Sequence, residues 1–105
     1  MRYKYHDAGV ASFRLGPRHE LVLQVVLDAV WNPLTSCTIE LRCGAIGNYS
    51  EVSTFCMRTL SRVVSPGAFL DTIDSVSVTN ETCLISFSES GCLLIRTSKI
   101  QELPV

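Results

Sequence analysis

The side chains best equipped for chemistry in this sequence are few and scattered. His6 and Asp7 are the most suggestive pair, since a carboxylate can orient an imidazole for proton transfer. On an extended stretch, however, neighbours point to opposite faces, so the spacing predicts that Asp7 does not orient His6 and that the histidine is exposed. His19, beside Arg18 in a turn, is also expected at the surface. Cys37, Cys43, Cys56, Cys83 and Cys92 are odd in number and widely spaced, with no C-x-x-C and no histidine pair nearby. Their apolar settings predict reduced, buried core thiols in a reducing compartment. Asp71 and Asp74 lie three apart and share a face of an extended chain only if a bulge intervenes. Gly44-Ala45-Ile46-Gly47 precedes a helix like an anion-binding turn but lacks the following Lys-Ser/Thr of a phosphate loop. No catalytic, metal-binding or cofactor-binding residue is assigned, and no cofactor is expected.

The elements that would position these residues read mostly with period two. At 105 residues, 1–105 is expected to be a single domain. A hydrophobic fraction of 47% with 18% charged residues describes a packed core, not disorder. Strands are predicted over 2–6, 10–15, 21–28, 37–45, 69–79, 82–88 and 92–97, with turns near Asp7-Ala8-Gly9, Gly16-Pro17-Arg18-His19, Asn80-Glu81 and Glu89-Ser90-Gly91. One helix is predicted over 49–63, N-capped by Asn48 with Glu51 completing a capping-box pattern. Its stripe is Val52, Phe55, Cys56, Leu60 and Val63, with Arg58 and Arg62 near the end where the helix dipole favours cations. Strands, one helix and more strands give an α+β fold: a single antiparallel sheet of six to seven strands with the helix packed on one face.

Turn lengths set a register. Leu27, Val25, Leu23 and Leu21 should face Cys37, Ile39, Leu41 and Cys43. On the other side Leu15, Phe13 and Ala11 should face Leu21, Leu23 and Val25. These rows make a core face. The reverse face then carries Arg14, Val22 and Arg42 in one row, Ser12, Gln24 and Glu40 in the next, and Val10, Val26 and Thr38 in the last. In the final hairpin, Ser88 opposite Gly91 puts Phe87, Ile85 and Cys83 against Cys92, Leu94 and Arg96, with both faces largely apolar. The reverse face reads either as a solvated surface with cross-strand polar pairs or as a docking surface whose arginines anchor a partner. Arg14, Val22, Gln24, Glu40 and Arg42 are therefore candidate partner-binding residues, joined by Trp31, whose loop with Asn32, Pro33 and Leu34 either caps the core or presents an aromatic anchor.

A β-rich chain of this length, one mid-chain helix and a C-terminal hairpin around Leu84-Ile85-Ser86-Phe87 and Cys92-Leu93-Leu94-Ile95 resembles, in layout, the small immunity proteins of bacterial polymorphic toxin systems. The resemblance implies a non-enzymatic inhibitor that binds one toxin domain. Many members directed at nucleases are strongly acidic, whereas the net charge here is −1, which argues against a nuclease target. The near-neutral charge also argues against nucleic acid as a partner. With no transmembrane run and no signal-peptide core, the sequence predicts no membrane association and a cytoplasmic protein. A protein partner leads, with a second copy of the chain as a further candidate. An exposed Trp31 beside Arg14 and Arg42 would favour that reading. A small-ligand domain, with an apolar cavity lined by Phe13, Phe69 and Phe87, comes second. An enzyme comes third, for want of convergent titratable groups.

Overall fold

Alternating apolar and polar residues produce one antiparallel sheet and one helix in a computed structural model that describes residues 1–33, 37–61 and 64–105. The strands are β1 (Ala8–Gly16), β2 (Glu20–Val26), β3 (Thr38–Gly44), β4 (Asp71–Val78), β5 (Thr82–Phe87), β6 (Gly91–Arg96) and β7 (Lys99–Pro104), in the order β6-β5-β4-β1-β2-β3-β7. The helix α1 (Tyr49–Phe55) lies between β3 and β4 in the chain. The predicted α+β layout is thus the observed one. Among the described residues no helix is long and apolar enough to cross a membrane.

Register across β1, β2 and β3 follows the apolar rows, with Leu23 opposite both Phe13 and Leu41, and Leu21 opposite Leu15 and Cys43. One row differs. A bulge at Ala11 places Val10, not Ala11, opposite Val25. Val10 is therefore fully buried and leaves the outer face to which strict alternation assigned it. Burying the larger side chain removes more apolar surface from water, by about 0.8 kcal/mol per methylene.

The last hairpin also departs from the expected register by one residue. Phe87 pairs with Gly91, Ile85 with Leu93 and Cys83 with Ile95, because the loop holds three residues, not two. The slip turns Leu93 and Ile95 inward and leaves Leu94 and Cys92 exposed, so the outer face here is less covered than expected. Only Cys43, Cys56 and Cys83 are buried; Cys37, just before β3, is exposed like Cys92, and all five thiols are free.

The helix continues beyond Phe55 as a π-helical turn, Cys56–Leu60, closed by the Ser61 N–H on the Cys56 carbonyl (2.9 Å). In an α-helix, residues four apart drift about 40° around the axis; the wider turn corrects this drift and keeps Val52, Cys56 and Leu60 on one buried stripe. Phe55 is half-buried and stacks on Phe87 at 5.8 Å. Arg62 and Val63 lie outside the described residues, as does Leu34.

Asn48 stands at the predicted N-cap position, its carbonyl accepting the Val52 N–H (3.1 Å), but its side chain makes no capping bond to the helix backbone. Its side-chain amide donates to the Leu94 carbonyl (2.8 Å) and accepts from the Arg96 N–H (2.8 Å), while Gly47 N–H reaches the Arg96 carbonyl (2.8 Å). These bonds fasten the start of the helix to the edge of β6 and cover backbone that would otherwise invite another strand. The sheet curls around the core, bringing the buried thiol of Cys43 on β3 close to that of Cys83 on β5, with β2, β1 and β4 between them in the order. The neighbouring Cys83 thiol, together with burial, pushes the Cys43 thiol well above its ordinary pKa.

Two assignments at the chain ends exchange places. Residues 2–6 form no strand, and the seventh strand is β7, which pairs with β3. Lys99-Ile100-Gln101-Glu102-Leu103-Pro104 has a weak apolar pattern and a terminal proline, tolerable only at a sheet edge.

Candidate functional site

The N-terminal segment 1–6 has strand-like alternation without a strand partner. Tyr3 and Tyr5 are buried, whereas Arg2, Lys4 and His6 are exposed. Side chains satisfy its backbone instead. Glu102 accepts the N–H groups of Arg2 (2.8 Å) and Tyr3 (3.2 Å) and the Tyr5 hydroxyl (2.7 Å). Buried Asn32 accepts the Lys4 N–H (2.9 Å) and donates to the Lys4 carbonyl (2.8 Å). Burial and the bond to Glu102 push the Tyr5 phenol far above its ordinary pKa, so it acts as a hydrogen-bond donor and not as a base.

The segment meets the sheet at Asp7, which has a left-handed backbone (φ 63°), a conformation that aspartate tolerates. This turn overturns the expectation for the preceding dipeptide. His6 and Asp7 are not consecutive residues of a strand, and their side chains come together, His6 Nε2 standing 3.5 Å from Asp7 Oδ2. His6 Nδ1 is 3.1 Å from the Asp74 carbonyl. Trp31 lies edge-on to the imidazole at 5.1 Å, and its indole N–H points to Asp7 Oδ2 at 3.5 Å. Both His6 and Asp7 are about half exposed, so the pair orients Trp31 more than it builds a desolvated catalytic base.

His6 and Trp31 border a cleft of about 440 Å³. Met1, Tyr3, Lys4, Tyr5 and His6 line one wall, Asp74, Ser75, Val76 and Val78 the other, and Trp31 stands between them. Because β1 begins at Ala8, it pairs with β4 only along Asp71–Ile73. Beyond that point no described strand pairs with β4 on the side away from β5. The cleft therefore opens where the sheet splits.

Of the candidate residues, the structure keeps Arg14, Val22 and Arg42 in one row and Gln24 and Glu40 in the next. Val22 is only 3% exposed. Arg42 donates through Nε (3.1 Å) and Nη2 (2.8 Å) to Glu40, and the Ser12 hydroxyl donates to Gln24 (3.3 Å), so much of this face is satisfied internally. Arg42 also borders a second groove of about 360 Å³ with Glu20 and Lys99. Trp31 is 47% exposed but joins His6 and Asp7, beyond the opposite end of β2 from the arginine row.

Other groups fall into structural places. Asp71 is buried under the loop after β5. Its carboxylate accepts the N–H groups of Thr72 (2.7 Å), Glu89 (3.2 Å) and Ser90 (2.9 Å), with the Ser90 hydroxyl as a further donor. Burial raises its pKa, but the Ser90 hydroxyl and these N–H groups outweigh burial and hold the carboxyl below its ordinary value. A bulge between Ile73 and Ser75 brings Asp74 to the same loop, where Ser88 donates to it (2.9 Å). His19 stacks on Tyr49 at 4.7 Å. Phe13, Phe69 and Phe87 line neither cleft. Among the described residues no three His, Cys, Asp or Glu side chains converge on one point.

Lys4, His6, Asp7, Val76 and Val78 were not singled out from sequence as binding residues. The Asp7-Ala8-Gly9 turn was the available signal, since a left-handed residue there diverts the chain from β4. No protein-family model, curated protein or solved structure matches this chain.

Proposed function

We propose that this protein is a non-enzymatic protein-binding module whose docking site is the cleft between segment 1–6 and β4. The observation that carries the reading is Trp31, large, 47% exposed and oriented by His6 and Asp7 at the cleft. An aromatic side chain held in place loses little freedom on binding, and tryptophan is enriched among residues that dominate interface energetics. The apolar Val76 and Val78 on the opposite wall give it a surface to bury together with a partner. A toxin-neutralising role of the immunity type is one form such binding takes.

The test is capture of partners from the native cell on immobilised protein, followed by affinity and melting measurements on variants. Trp31→Ala should weaken the captured interaction at least about 30-fold while costing less than about 1 kcal/mol of stability. Arg14→Ala and Arg42→Ala should leave that interaction within about threefold. Full retention of affinity by Trp31→Ala with loss in the arginine variants would move the docking site to the outer sheet face.

A further inference from the structure

We infer that the cleft takes an extended, acidic peptide segment of the partner, which adds as a strand to the open half-edge of β4; this rests on the cleft being the docking site. The backbone geometry carries the inference. In the β4–β5 ladder, Thr79 N–H bonds to the Thr82 carbonyl (2.9 Å), and the register runs Val78–Cys83, Ser77–Leu84, Val76–Ile85 and Ser75–Ser86. Antiparallel ladders alternate between bonded and non-bonded pairs. Ser75 and Ser77 therefore direct their backbone groups to β5, while Val76 and Val78 direct theirs away from it, into the cleft. No described strand receives them there. Such a row of main-chain donors and acceptors beside an apolar wall matches an incoming strand, whose backbone supplies hydrogen bonds and whose alternate side chains supply selectivity.

The charge of the ligand follows from the facing wall. Lys4 lines the cleft, is exposed, and among the described residues is not ion-paired with a carboxylate, whereas the Arg2 guanidinium lies over the Tyr3 ring. Of the acidic groups nearby, Asp7 is turned to His6 and Trp31, and Asp74 to Ser88. A strand laid along β4 alternates its side chains between two faces. One set meets Val76, Val78 and Trp31 and should be apolar; the other meets Lys4 and should be acidic.

The test uses three capped eight-residue peptides: alternating Val and Glu, the same with Lys in place of Glu, and the Val/Glu peptide N-methylated at alternate residues. Binding to the intact protein is followed by NMR, reading the Trp31 indole and the amide exchange of Val76 and Val78. The Val/Glu peptide should shift the indole and slow exchange of both amides at least about tenfold. N-methylation, which deletes ligand backbone donors, should weaken binding at least about tenfold. The Lys peptide should bind at least about tenfold more weakly, and Lys4→Glu should reverse that preference. Val78→Pro, which removes one cleft-facing donor while sparing the bonds to β5, should weaken the Val/Glu peptide if the variant folds; the N-methyl peptide needs no variant. Indole shifts without amide protection and without sensitivity to N-methylation would overturn strand addition while leaving cleft docking intact. Absence of binding by all three peptides, or preference for the Lys peptide, would overturn the inference.

Discussion

The two halves of the sheet solve the same problem differently. In the β1-β2-β3 half, neighbouring strands supply one another's hydrogen bonds, and Leu21, Leu23, Ile39 and Leu41 fill the inner face with essentially no exposure. Where β4 meets segment 1–6, side chains do that work. Glu102 and Asn32 satisfy the segment's backbone, and among the described residues no strand pairs with half of β4 on one side. The first half is closed because β-branched and leucine side chains can pack without gaps. The second stays open because a single left-handed residue, Asp7, diverts the chain before it can pair with Asp74–Val78. A closed region supplies stability, and an edge held open supplies a place for another chain.

The closed half should be the most sensitive to truncation. Leu41→Ala removes a fully buried side chain and should cost about 2–5 kcal/mol in urea unfolding, from lost burial and a residual cavity. A cost under about 1 kcal/mol would mean that this half is not packed as described. Next comes the seam between the halves. Glu102→Ala deletes the acceptor for three donors on segment 1–6 and should cost about 2 kcal/mol. It should also speed exchange at Arg2 and Tyr3 while leaving Leu23 and Leu41 protected. Equal loss of protection in both halves would erase the contrast drawn here.

Acid should act through the start of β4. The Asp71 carboxyl has a folded pKa below its ordinary 3.8, so its contribution is complete above that value and disappears as pH falls through the folded pKa. Stability should therefore decline below about pH 4 more steeply in the native protein than in Asp71→Asn, measured by urea midpoints across pH. Parallel declines would remove Asp71 as the source.

The closed half was largely legible in sequence, because strict alternation and the loop lengths around Pro17 and Trp31 leave few registers that bury every leucine. Val10 escaped because a bulge has no signature in a run of small apolar residues. Leu93 and Ile95 escaped because both registers of the last hairpin bury apolar residues, so pattern could not choose between them. The cleft was largely invisible. Tyr3 and Tyr5 alternate with polar residues as in a strand, but the segment is held by single side chains distant in sequence, Glu102 on the tyrosines and Asn32 on Lys4. Asn48 is the predicted N-cap residue, but the role of its side chain was hidden for a related reason. Its type suits a helix cap, yet the same amide matches the edge of β6.

The central claim, that β4 presents an unpaired edge in the free protein, is tested most directly by residue-resolved amide exchange without any ligand. Val76 and Val78 should exchange close to the rate of unstructured amides, whereas Ser75 and Ser77, bonded to β5, should be slowed at least about 100-fold. Slow exchange at Val76 and Val78, matching that of their serine neighbours, would show the edge to be already covered and would contradict the account.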